Sequence, residues 1–299
     1  MGREIWNAKR DEAGLFLPSG GPIIAARNPH ATPAKPASLM HELKDTQNER
    51  DHRRIAIDRV GVRSLRYPIQ VRDKAGTVQS TVATVSLAVD LPHQYKGTHM
   101  SRFVEVLNSH GPVLDVHSIS EIPKELLARL NAQRAHIEFR FPFFLKKKAP
   151  VTNAGGLMDY EVVFEIDATH ESQDFILTVL VPVTTLCPCS KAISERGAHN
   201  QRGVVTFSVR FREEPVWIED LIRLVEKSAS CELYSLLKRP DEKQVTEVAY
   251  DNPVFVEDLV RNVAAASNGQ EALSWYRVEA ENFESIHNHN AWAMVEKPA

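Results

Sequence analysis

Over much of the chain apolar residues recur at every second position, the period of a β-strand with one buried face. Val82, Thr84, Ser86 and Ala88 alternate with Ala83, Val85, Leu87 and Val89, which predicts a strand with both faces largely covered. Ile137, Phe139, Phe141 and Phe143 oppose Glu138 and Arg140, and Tyr160, Val162, Phe164 and Ile166 oppose Glu161 and Glu165. Phe175, Leu177, Val179, Val181 and Val183 line one face of a strand that leads into Cys187. Val205, Phe207, Val209 and Phe211 repeat the pattern after His199, and residues 275–283 and 289–295 predict a closing pair.

Between the strand pairs the period lengthens. Trp217, Leu221, Leu224 and Val225 recur at helical spacing, with Glu219, Asp220, Arg223 and Glu226 on the other side. A further helix is expected from Asp251 or Asn252 as cap, with Pro253 at its first position, to about Ser267, where Asn268-Gly269 ends it. Residues 101–109 and 123–131 predict helices in the first half. The order is strand, strand, helix, helix, strand, strand, and then the same again: an α+β chain that repeats its pattern without repeating its residues.

Bulk properties narrow the setting. With 299 residues the chain can bury a substantial core. Its 43% hydrophobic and 25% charged residues are those of a globular protein. A net charge of −3 and a pI near 6.5 provide no global basic field for nucleic acid. The apolar runs are about ten residues long, short of the ~20 needed to cross a bilayer. MGREIWNAKRDEAG has charges where a signal peptide needs an apolar stretch. Three cysteines, two of them separated by one proline, do not make a disulfide framework and suit reduced thiols in the cytoplasm. Residues 1–50, with five prolines from Pro18 to Pro36 followed by HELKDTQNERDHRR, predict a flexible, poorly packed leader on which Phe16 and Leu17 are candidate anchors.

The densest chemistry lies in LCPCSKAISERGAHNQRG, residues 186–203. Cys187 and Cys189 flank Pro188 at the end of an apolar strand, and His199 follows within reach of a turn. A thiol pair beside an imidazole supplies soft ligands for a borderline metal, or a nucleophile with a base. Gly197 and Gly203 bracket the histidine, so turns can return it to the cysteines. Free cysteines are often simply buried, but Ser190, Lys191 and Glu195 make this setting polar. One residue apart across a proline, both sulfurs do not comfortably face one ion. Cys187 is therefore expected as the metal ligand and Cys189 as a thiol facing the substrate, in an order that is reversible. His287 and His289 stand two apart, on one face if the segment is a strand. Cys231 fits a helix core.

Three long segments in matching order carry a resemblance: residues 186–203, RPDEKQVTEVAYDNPVFVED (239–258) and HNHNAWA (287–293), supported by IDRVGVRSLRYPI (57–69) and KGTHMSRFVEVL (96–107). Together they resemble the prokaryotic type IB GTP cyclohydrolases over roughly residues 51–297. The resemblance implies a tandem T-fold, with antiparallel sheets, helix pairs outside and a barrel closed by oligomerisation. The first module would span 51–171 and the second, with most of the catalytic motifs, 172–299. It implies a homotetramer with sites at subunit interfaces. It also implies a divalent metal on Cys187, His199, Glu242 and His287, with zinc, manganese and iron undistinguished. Glu257 matches the carboxylate that anchors the purine, where the bland reading pairs it with Arg261 across one helical turn.

The implied activity is hydrolysis of GTP at purine C8, releasing formate and yielding 7,8-dihydroneopterin triphosphate, the first step of folate and pterin synthesis. Cys189 and His199 would move protons and Glu257 would fix the ring. No Walker-type glycine loop is present, so two to four of His99, Arg102, Lys191, Arg196, Arg202, Lys238 and Arg239 would meet the triphosphate. His99, Arg102, Lys191 and Arg202 lead that set. Two other readings stand beside this one: another T-fold enzyme acting on a pterin or deazapurine with a cysteine nucleophile, and a non-enzymatic barrel that holds a structural ion or a nucleotide.

Overall fold

The computed structural model describes residues 45–297 apart from 112, 115–117 and 215; the expected leader over 1–44, with Phe16 and Leu17, lies outside the described residues. In the first half β1 (Ile57–Arg72), β2 (Val78–Leu91), α1 (Met100–Ser109), β3 (Val113–Leu114), α2 (Glu121–Leu130), β4 (Arg134–Lys148) and β5 (Gly155–Thr169) follow in order. The second half runs β6 (Gln173–Leu186), α3 (Pro188–Ile193), β7 (Asn200–Phe211), α4 (Ile218–Glu226), β8 (Cys231–Glu232), α5 (Arg239–Asp251), α6 (Val256–Asn268), β9 (Leu273–Asn282) and β10 (Ala291–Glu296). Among the described residues the strands form one sheet ordered β10-β9-β7-β6-β5-β4-β2-β1-β3, with β8 beside β6. Every pairing there is antiparallel except that of β1 with β3. The α+β pattern expected from the sequence is therefore present, as two rounds of strand pair, helices and strand pair.

Burial explains the layering. The alternating faces converge on a single core in which Phe139, Phe141, Phe143, Tyr160, Phe164 and Phe207 are almost wholly buried. Phe103 and Leu107 of α1, Leu126 of α2, Leu221 and Val225 of α4, and Leu259 and Val263 of α6 pack into it. Each such side chain contributes roughly 1.5–3 kcal/mol on leaving water, more than any surface pair supplies, so the helices are held to one face of the sheet. The opposite face is only partly covered. On β2, Ala83, Val85 and Leu87 are fully buried while Val82 remains 43% exposed. Thr84, Ser86 and Ala88 on that face are half-buried, so the expectation of two largely covered faces is met in part and fails at Val82.

The start of one expected helix also differs. The helix expected from residue 252 begins at Val256, because Val254 N–H donates to Leu186 O at 3.1 Å and holds that stretch extended beside the end of β6. Asp251 ends α5 and is not a cap for α6. Helix α5 itself has no counterpart in the apolar pattern: it buries only Asp241 and Ala249, so its period is faint. Residues 45–50, expected in the leader, pack on the loop after β2, with Arg50 bridging to Tyr95 and Lys96 Nζ 2.8 Å from Glu49 Oε2.

Asp241 fixes the start of α5. Its carboxylate accepts from Val151 N, Thr152 N, Thr152 Oγ1 and Lys238 N at 2.6–2.9 Å. Burial acts to raise its pKa, but these hydrogen bonds outweigh burial and hold the carboxyl well below the usual carboxylate range. A depressed pKa contributes stability above the unfolded value, near 3.9, and loses it as pH falls through the folded one. Asp241→Asn is therefore expected to lower Tm by several degrees at pH 7. The gap between parent and variant should narrow in melts taken at successively lower pH below about 4. A gap independent of pH would show that shape, not charge, is what residue 241 supplies.

Candidate active site

Strand β6 ends at Leu186 and delivers Cys187 as the cap of α3, where the Sγ accepts from Ser190 N at 3.4 Å. The chain then folds back on itself. Gly197 turns it at φ +128°, a conformation that side-chain-bearing residues resist. His199 O then accepts from Cys187 N at 3.1 Å, and Ser190 Oγ accepts from His199 N at 3.2 Å. The return of the histidine to the cysteine, expected from the glycines, is made by backbone bonds.

A cleft of about 270 Å³ opens beside this loop, lined by Cys187, His199, Gln201, Val254, Phe255, Val256, Glu257, Asn282, Glu284, His287, His289 and Ala291. Four elements build it: the end of β6, the start of β7, the first turn of α6 and the turn between β9 and β10. Larger clefts of about 610 and 900 Å³ lie elsewhere, lined by residues such as Lys147, Glu226 and Tyr234, or Lys74, Trp217 and Asn262. Donor chemistry, not size, selects the smaller one.

Within it the histidines are ordered by neighbours. His199 Nδ1 lies 3.0 Å from Gln201 Oε1, and Gln201 Nε2 donates to the fully buried Thr185 Oγ1 at 3.0 Å. With its amide nitrogen engaged, Gln201 presents its Oε1 to His199 Nδ1, which leaves Nε2 as the ring nitrogen not turned toward it. Glu284 Oε2 stands 3.8 Å from the same Nδ1. The rings of His199 and His287 meet edge to face at 6.4 Å, and His287 stacks on His289 at 5.3 Å. Those two share a face as expected, but through the bends at 287–289, not as a strand.

The expected site residues divide. Cys187, His199, Glu257 and His287 share the cleft. Glu257 is exposed on the first turn of α6, and Arg261 pairs with Asp258 at 3.4 Å instead. Cys189 is exposed on α3, and Glu242 is exposed on α5; neither lines the cleft. Lys191 is engaged with Tyr250, donating to its carbonyl and lying 4.3 Å over its ring. Arg202 is exposed on β7. His99 caps α1 with Nε2 3.3 Å from Asp45, and Arg102 donates to Arg129 O at 3.1 Å, so both belong to the first half, away from the cleft.

The thiol and imidazoles suit a borderline divalent ion. Among the described residues, however, no three His, Cys, Asp or Glu side chains stand close enough together to hold one. The donor set thus fits a metal in kind, while Glu242 stays on α5, apart from the other three expected ligands.

Gln201, Asn282 and Glu284 join the cleft without having been expected there. Gln201 follows His199 by two, on the same strand face, and Asn282 continues the buried positions Tyr276, Val278 and Ala280 of β9 with a polar group. Gln201→Leu is expected to reduce turnover about 10–100-fold, the usual loss when a histidine's orienting partner is removed. Steady-state rates beside the melting curve separate this from unfolding; full activity would show that the imidazole needs no such guide.

Comparison with known proteins bears on the same region. The family pattern described as "Type I GTP cyclohydrolase folE2" matches residues 43–293. The chain is 68% identical over 260 residues to GTP cyclohydrolase FolE2 of Akkermansia muciniphila, covering 86% of this chain and 98% of that one. It is 54% identical over 255 residues to GTP cyclohydrolase FolE2 of Nitrosococcus oceani, covering 85% and 95%. Among solved structures it is similar to a uricase from Bacillus fastidious, at 6% identity and a TM-score of 0.49 over 80% of this chain and 92% of that one. With Cys187, His199, Glu257 and His287 in one cleft and matches extending over nearly the whole described chain, this protein belongs to the type I GTP cyclohydrolase FolE2 family.

Proposed function

We propose that the cleft at Cys187 and His199 is where this GTP cyclohydrolase opens the imidazole ring of GTP, releasing formate and leading to 7,8-dihydroneopterin triphosphate. The family assignment decides for the cyclohydrolase over the nucleophilic-cysteine enzyme and the non-enzymatic barrel. The observation that carries the site is the meeting of one thiol, three imidazoles and an exposed carboxylate in a single cleft.

Glu257 presents two acceptor oxygens to the guanine N1–H and N2–H₂ edge, a bidentate match that fixes orientation. Held so, attack of water on C8 becomes effectively unimolecular. His199, with Nδ1 turned toward Gln201, offers Nε2. Cys187, His199 and His287, with Glu242 as the fourth, are the side chains that would hold a divalent ion, zinc, manganese or iron. Such an ion supplies Lewis acidity and lowers the pKa of water. Cys189 passes protons during ring opening, a task that falls to His199 as well wherever its Nε2 is not on the ion.

The chain works as a tandem T-fold in a homotetramer, with modules 51–171 and 172–299 and sites where subunits meet. The partly covered sheet face supports this, as does the edge strand β10, where Trp292 is 59% and Met294 41% exposed. Glu242, Cys189, His99, Arg102 and Arg202 lie outside the chain's own cleft and would enter a site across such an interface. Incubation of the purified protein with GTP and each of several metals should release formate and leave a pterin that fluoresces after oxidation. Equal formate release from metal-free protein would overturn the assignment of a metal-assisted step, and no formate under any condition would overturn the reaction.

A further inference from the structure

Asn282 ends β9 opposite Gly203 of β7 and Ala291 of β10, and it lines the cleft. It is 2% exposed, and its Oδ1 has no hydrogen-bond partner among the described residues. Buried acceptors are nearly always satisfied, and an orphan calls for an explanation such as a missing ligand or a catalytic role. The backbone makes room for this one. A Cβ at residue 203 would come within 2.4 Å of Asn282 Oδ1, so glycine at 203 is what lets the amide lie over the sheet. The sequence there is apolar and alternating, and Tyr276, Val278 and Ala280 occupy the preceding buried positions. A valine at 282 would fit the pattern and leave nothing unpaired.

We infer that the Asn282 carboxamide is a substrate-binding group that grips the imidazole side of the purine, the side where the ring is opened. The inference rests on the GTP-hydrolysing reading of the cleft. Its placement follows from the strands: residue 282 pairs with Gly203, next to the Gln201 that orients His199, whereas Glu257 comes from α6. A base fixed by Glu257 at its N1 and N2 edge then turns C8 and N7 toward β7 and β9.

The chemistry of that side changes during the reaction, and an amide suits both states. In GTP, N7 is an acceptor, and the amide meets it with Nδ2–H. When water adds across C8=N7, the oxygen bonds to C8, the π pair moves to N7, and N7 takes the proton. N7–H is now a donor, and Oδ1 is the acceptor that finds it. A half-turn of the terminal amide exchanges the two groups, and that torsion is broad in side chains of this kind. Because Oδ1 has no partner among the described residues, no bond there opposes the turn. A contact made only after hydration favours kcat over binding.

The test compares Asn282→Leu with the parent in melting temperature, KM and kcat for formate release. Replacing an unpaired polar group by an apolar one of similar size is expected to leave Tm unchanged or raised. Turnover should fall at least tenfold, chiefly in kcat. Should the leucine variant fail to fold, Asn282→Ser and Asn282→Ala form a second pair that differs by one hydroxyl. Serine, able to donate and accept, should then exceed alanine in kcat. Turnover within twofold of the parent in the leucine variant, or equal kcat in serine and alanine with Tm lowered alike, would overturn the assignment. A parent that releases no formate from GTP overturns the functional reading and this inference together. A parent that does so, beside a fully active leucine variant, overturns the role of Asn282 alone.

Discussion

Cys187→Ala is expected to lose bound metal and formate release together, with a fall in turnover beyond the roughly 10–100-fold typical of losing an outer-shell partner. Cys187 lines the cleft shared with His199 and His287, so its removal takes away the softest donor of the set. Cys189→Ala should behave differently, retaining metal while losing most turnover, because that thiol lies exposed on α3 and outside the cleft of its own chain. Metal content by elemental analysis, alongside formate release, reads both. A Cys189→Ala protein with full metal and full activity would remove its proton-carrying role. The reverse pattern between the two variants would mean that the thiols exchange jobs.

Glu257→Gln should cost GTP turnover at least tenfold while leaving metal content unchanged. The substitution keeps size but replaces one acceptor oxygen by an NH₂ donor, so one of two contacts to the guanine edge becomes donor against donor. Leaving such a group unpaired costs about 1–3 kcal/mol, and about 1.4 kcal/mol corresponds to a factor of ten. The competing view, in which Glu257 merely pairs with Arg261, is weakened because Arg261 sits 3.4 Å from Asp258. Normal GTP turnover in Glu257→Gln would nevertheless restore a structural role for the carboxylate. ATP, with a different donor pattern on its ring edge, should be a poor substrate for the parent.

The sheet was legible because period-2 alternation is a local signal that burial enforces strand by strand. Phe139, Phe141, Val162, Phe164, Val179, Val205 and Phe207 all face the core that their spacing predicts. Helix α5 was not legible, since a helix that buries only Asp241 and Ala249 has almost no apolar stripe. The capping pattern of Pro240 and Asp241 was its better signal. At the site, the Cys187–His199 loop was readable from its glycine turn. The Thr185–Gln201–His199 chain was not, because it depends on which strands lie side by side. Glu242 shows the limit most clearly: the resemblance proposes it as a metal ligand, yet the fold of one chain leaves it exposed on α5.

The strand order has a kinetic consequence. From β1 to β10 the neighbours in the sheet are mostly neighbours in the chain, with β8 and the edge strand β3 as the departures. Sheets built from successive hairpins close short loops first, and folding is faster where contacts are local in sequence. During synthesis the N-terminal hairpins are available to pair before the last ones emerge. The cleft draws on residues from 187 to 291, and its Asn282, Glu284 and His287 arrive with the final hairpin of β9 and β10. Pulse-labelled hydrogen exchange during refolding should therefore protect the amides of β4 and β5 before those of β9. Catalytic competence should be the last property the newborn chain acquires, well after most of its sheet has formed.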